Sequence, residues 1–125
     1  MTSAELGRRG ERRAAWFYRL RGYRILARNL RLGAGEIDLV VKRGGSIVIA
    51  EVKTRTTMEG HEAVDRTKRE RMIALGDLYG AMHPNARLRY DILSLLWNGR
   101  RFVVTHYEDA FRPIADPRYP WRWRG

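Results

Sequence analysis

Residues 35–55 read GEIDLVVKRGGSIVIAEVKTR, two apolar runs, Glu36–Lys42 and Ile47–Lys53, on either side of Gly44-Gly45. Both runs are rich in Val and Ile and the diglycine step is a turn signal, so the stretch predicts an antiparallel hairpin. Each run carries an acid, Asp38 and Glu51, and Lys53 follows closely after the second. A two-residue loop sets Arg43 opposite Ser46, and the same register carries Asp38 to Glu51 and Glu36 to Lys53. Directly opposed side chains share a face, so all four project from one side of the sheet.

Carboxylates opposed at about 5 Å between Cβ atoms repel unless a cation compensates them. Two solutions fit the residues. Lys53 and Lys68 can neutralise the acids in a partly buried ion network, or a divalent cation can be held by hard oxygens, with Mg2+ or Mn2+ suited to carboxylate, carbonyl and water ligands. Of 25 basic residues only three are lysine, yet Lys53 lies beside the acids and Lys68 interrupts an apolar helical stripe. A compact ammonium can shift its pKa and orient a water, which a guanidinium does poorly.

Outward from the hairpin, Thr2-Ser-Ala-Glu5 fits a capping box that opens a helix to Leu20, with Gly22 as its stop. Leu6, Gly10, Phe17 and Leu20 form one stripe, and Glu11 lies to its side with Gly7, Ala14 and Tyr18, where small residues allow close approach. Tyr23–Arg31 reads as a first strand, turning at Gly33-Ala-Gly35. A second helix spans Glu62–Met82, with Val64, Met72, Leu75, Tyr79 and Met82 on one face and His83-Pro84 ending it. Strands Leu88–Trp97 and Arg100–Tyr107 flank Asn98-Gly99, another hairpin signal. The expected order is α-β-β-β-α-β-β, an α/β fold with a mixed five-stranded sheet flanked by helices.

A chain of 125 residues is one domain, taken here as residues 1–112. Residues 113–125, with three of the four prolines and an alternating Trp-Arg run, read as a flexible tail. No secretion signal and no run of about 18 apolar residues occurs, so a cytoplasmic protein without membrane association is expected. The absence of cysteine excludes disulfides and thiolate sites, and three scattered histidines make no zinc spacing. A net charge of +11 points to a polyanionic partner, nucleic acid above all.

The motif Asp38 … Glu51-Val-Lys53 resembles the D…(D/E)-x-K signature of the PD-(D/E)XK, restriction-endonuclease-like nucleases. More specific is a run of segments in order: Gly7-x-x-Gly10-Glu11, Gly22-Tyr23, Arg28-Asn29-Leu30-Arg31, Gly35 to Leu39, Glu51 to Arg55, Ala63-Val64 with Lys68, and Tyr90-Asp91. Together these resemble the YraN-like family of small bacterial proteins over roughly residues 3–112. The resemblance implies a restriction-endonuclease-like core similar to archaeal Holliday-junction resolvases, and a nuclease function that is itself an inference within the family. It implies Asp38 and Glu51 as metal ligands, supplemented by Glu11, with Lys53 activating the attacking water and Lys68 directed at the same pocket or at the scissile phosphate. Arg28 and Arg55 are candidate phosphate contacts, and Asp91 belongs to the fold or to the surroundings of the site. Ile37 stands where the superfamily motif has its proline, and the tail lies outside the resemblance.

The expected function is therefore Mg2+- or Mn2+-dependent hydrolysis of phosphodiester bonds in nucleic acid, with DNA, including branched DNA, ranked ahead of RNA. A homodimer would suit a symmetric junction. The alternative is a non-catalytic nucleic-acid-binding protein that keeps the fold.

Overall fold

The computed structural model describes residues 1–33, 35–56, 66–116 and 119–123, except for the side chains of Arg66 and of residues 111–123. It contains α1 (Ser3–Arg19), β1 (Arg24–Leu32), β2 (Gly35–Arg43), β3 (Ser46–Arg55), α2 (Arg66–Ala81), β4 (Arg87–Trp97), β5 (Phe102–Asp116) and β6 (Tyr119–Trp123). The strands form one sheet in sequential order. All neighbours are antiparallel except β3 and β4, which run parallel from Ser46↔Arg87 to Arg55↔Leu96. A parallel pair requires a crossover, and α2 lies in it.

The mixed sheet and the order α-β-β-β-α-β-β are as expected, but the sheet has six strands rather than five. β5 runs past Tyr107 to Asp116, and β6, from the stretch read as a tail, pairs with it. As an edge strand β6 tolerates Pro120, because one side of its backbone has no strand to bond. The expected helix start at Glu62, with Ala63 and Val64, lies outside the described residues.

The two helices cover opposite faces. On one, Ala14, Phe17 and Tyr18 of α1 pack with Leu39, Val41, Val48, Ala50, Leu93 and Leu95; on the other, Met72, Ile73, Leu75 and Tyr79 of α2 pack with Val40, Ile47, Ile49, Tyr90 and Ile92. Alternation along β3 and along β2 from Leu39 divides these sets, as the two-residue period of a strand requires; Ile37, two residues before Leu39, packs on the α2 side and breaks the pattern. α1 begins at the expected capping box, with Thr2 and Glu5 exchanging hydrogen bonds of 3.1 and 3.2 Å. Gly10 is its contact point: a Cβ there would collide with the Thr54 side chain of β3. The ends of the predicted stripes fall outside the core, since Leu20 is 73% and Met82 57% exposed. Each lies at or past its helix terminus, where the face turns away from the sheet.

Candidate active site

The hairpin fixes the site. Gly44 has φ +59°, and the ladder from Arg43↔Ser46 to Leu39↔Ala50 keeps the predicted register. Beyond it, the Val52 amide donates to Oδ2 of Asp38 at 2.9 Å. Asp38 and Glu51, each one residue past the Leu39↔Ala50 pair, line one cleft side by side. Asp38 is accordingly pushed from the ordinary aspartate value to about 7, first by burial and then by the charge of Glu51, with the Val52 amide pulling the other way and Glu11 adding a smaller push. A protonated Asp38 beside a second carboxylate, Glu51, forms a centre that a cation would complete.

α2 brings the compensating charge. Lys68 lies one turn before Met72, on the face turned to the sheet, and its Nζ is 2.6 Å from Glu51 Oε1. Burial would lower the Lys68 ammonium, but the hydrogen bond and charge of Glu51 outweigh it and hold the group above the usual lysine value. Lys53 is a neighbour of Lys68. A cleft of about 650 Å3 opens over the pair, lined by Asp38, Glu51, Glu36 and Lys68 and flanked by Arg31 and Arg71.

Of the residues expected at the site, Asp38, Glu51, Lys53 and Lys68 come together. Glu11 sits on α1, where its carboxylate accepts from Asn29 Nδ2 at 3.4 Å, and it reaches the pair through its charge. Arg28 is exposed on β1 and Arg55 half-buried on β3, and neither lines the cleft. Arg31 and Arg71 occupy that position instead. Arg71 follows Lys68 by three residues, a spacing that shares a helix face and could have marked it. Glu36 forms an ion pair with Arg31 at 4.0 Å across the β1–β2 ladder.

The model of UPF0102, an uncharacterised protein family, matches residues 10–95. The chain belongs to UPF0102. This is the YraN-like family, within the PD-(D/E)XK nuclease-like superfamily, to which the sequence motifs point. A UPF0102 protein of Chelativorans sp. (strain BNC1) is 45% identical over 109 residues, spanning 84% of this chain and 86% of the relative. One of Clavibacter michiganensis is 45% identical over 98 residues, 74% of this chain and 83% of the relative. One of Chloroflexus aurantiacus is 40% identical over 101 residues, 78% and 84% respectively. The matched region of this UPF0102 member contains Glu11, Asp38, Glu51, Lys53 and Lys68.

Its donor set suits a hard divalent ion. Among the described residues no group of three or more His, Asp or Glu gathers at ligand spacing, so the site offers two carboxylates rather than a closed cage. Mg2+ is commonly held by one or two carboxylates with water and substrate phosphate completing its shell. Among the described residues no helix is long and apolar enough to cross a membrane.

On the α1 face the UPF0102 fold buries a second acid, Asp91. It accepts from Tyr18 Oη at 2.9 Å, from Arg89 Nε and Nη2 at 2.9 Å each and from the Asp109 amide at 2.9 Å, and lies 2.7 Å from His106 Nε2. Burial alone would raise its carboxyl, but the bonds to His106, Arg89 and the Asp109 amide outweigh it and hold the group below the usual range. This cluster belongs to the fold, as one of the two expectations for Asp91 had it, and joins α1, β4 and β5.

Proposed function

We propose that this protein is a divalent-metal-dependent nuclease hydrolysing phosphodiester bonds in nucleic acid, with DNA, including branched DNA, as its substrate class. The observation that carries the reading is that Asp38 and Glu51 line one cleft at the open end of the hairpin, with Lys68 Nζ 2.6 Å from Glu51 Oε1. Asp38 and Glu51 would hold the cation, with Glu11 contributing charge from α1. A bound divalent ion would supply Lewis acidity toward a phosphoryl oxygen and ease deprotonation of a water. Lys53, placed beside Lys68, would orient that water, and Lys68 would face the scissile phosphate. Arg31 and Arg71, at the cleft walls, would receive flanking phosphates, and the net charge of +11 favours polyanion capture.

A specific observation favours a second reading. Lys68 already neutralises Glu51 at 2.6 Å, as an inert ion network would, and the protein would then bind nucleic acid without cutting it. Purified protein incubated with labelled single-stranded, duplex, flap and four-way substrates separates the two. The nuclease cleaves with Mn2+ or Mg2+, stops with chelator, and loses cleavage but not binding in Glu51→Ala and Lys53→Ala. Cleavage surviving both substitutions refutes the assigned site. The binder never cleaves, and its affinity falls with salt by about 0.9 in log K per log salt for each duplex phosphate neutralised.

A further inference from the structure

Asp38 and Glu51 come from one hairpin, whereas Lys68 reaches them from α2 across the crossover. The Lys68–Glu51 pair is short, 2.6 Å, and partly desolvated, the two side chains being 30% and 13% exposed. A carboxylate oxygen held this way presents its charge to the ammonium, and a cation approaching from the cleft meets both. We propose that Lys68 is the built-in counter-ion of the acid pair: it holds Glu51 in the metal-free protein, and a divalent cation gains Glu51 by exchanging with the Lys68 ammonium, which then turns to the phosphate in the cleft. The inference rests on the reading of Asp38 and Glu51 as a metal site.

The surroundings suit such an exchange. Met72 and Leu75, buried at 6% exposure each, anchor α2 just beyond Lys68, so the lysine Cα is fixed while its stem remains able to swing. The cleft of about 650 Å3 opens directly beside the pair, with Arg71 on the same helix. Replacing one cation by another leaves the two carboxylates compensated throughout, which avoids the penalty of an unpaired, partly buried charge. Arginine would do this poorly, because its planar fork engages a carboxylate through two parallel bonds.

The sequence makes the test direct. The chain has three lysines, Lys42, Lys53 and Lys68, so a spectrum of lysine-labelled protein has three side-chain signals. On titration with diamagnetic Mg2+ the Lys68 signal should move while that of Lys42, at the far end of the hairpin, stays. In calorimetry with Mn2+, Lys68→Met should bind about tenfold more tightly than the unmodified protein, whereas Lys68→Arg should not. A Lys68 signal unmoved at saturating Mg2+, or a Lys68→Met protein that binds Mn2+ no better than the parent, overturns the proposal. Glu51→Gln separates the two levels of inference. If it abolishes Mn2+ binding while Lys68→Met leaves it unchanged, the metal site stands and the counter-ion role falls. If neither the parent nor Lys68→Met binds Mn2+, both fall. Should Lys68→Met fail to fold, the Mg2+ titration of the unmodified protein decides.

Discussion

The hydroxyl of Tyr18 donates to Oδ2 of Asp91 at 2.9 Å, joining the C-terminal end of α1 to β4 through a fully buried carboxylate. Removing the donor leaves the acid with its remaining partners, whereas removing the acid orphans several. Tyr18→Phe should therefore cost about 1 kcal/mol and Asp91→Ala roughly 3 kcal/mol or more, read from urea midpoints. Equal costs for the two would show that Asp91 is not the hub.

The same residue sets the acid limit of stability. The folded Asp91 pKa lies below the unfolded value, so its contribution is present above about pH 4 and lost as pH falls through the folded pKa. Melting temperature should drop steeply below pH 4, and Asp91→Asn should flatten that limb while lowering the plateau.

Asp38 behaves in the opposite sense. Its folded pKa, about 7, lies above the unfolded value, so the native state holds the extra proton between roughly pH 4 and pH 7. The resulting stability is complete below that window and disappears as pH rises through 7. Asp38→Asn should match the parent below about pH 4 and exceed it by roughly 1–3 kcal/mol at pH 8. A variant less stable than the parent at pH 8 would refute the repulsive pair. A divalent ion must displace the Asp38 proton, so Mn2+ should raise the melting temperature of the parent more at pH 8 than at pH 6.

Gly10 seats α1 on β3 against Thr54. Gly10→Ala would raise helix propensity, yet the methyl group must displace a packed side chain. The overpacking cost, roughly 1–3 kcal/mol, should win. Gly7→Ala, where nothing lies within 4 Å, should stabilise slightly in the same denaturation assay.

The hairpin and its acid pair were legible because both depend on local rules: a turn of fixed length sets the register, and the register sets the face. Lys68 was legible as a charge inside an apolar stripe. Arg31 and Arg71 were obscured by 22 arginines of similar appearance, and only packing distinguishes those that border the cleft from the solvated ones. Asp91 and His106 come from different strands and meet Tyr18 of α1, a convergence that no local period encodes. The tail's prolines read as a break in regular structure, whereas an edge strand accommodates them, so β6 was missed.

The crossover between β3 and β4 also orders events in time. Asp38 and Glu51 belong to one hairpin closed by a two-residue turn, whereas Lys68 lies beyond it on α2, in the crossover. Nearby partners meet sooner than distant ones, so the nascent hairpin carries its two carboxylates before their lysine arrives. Refolding should accordingly run faster at pH 5, where the Asp38 carboxyl is protonated, than at pH 8.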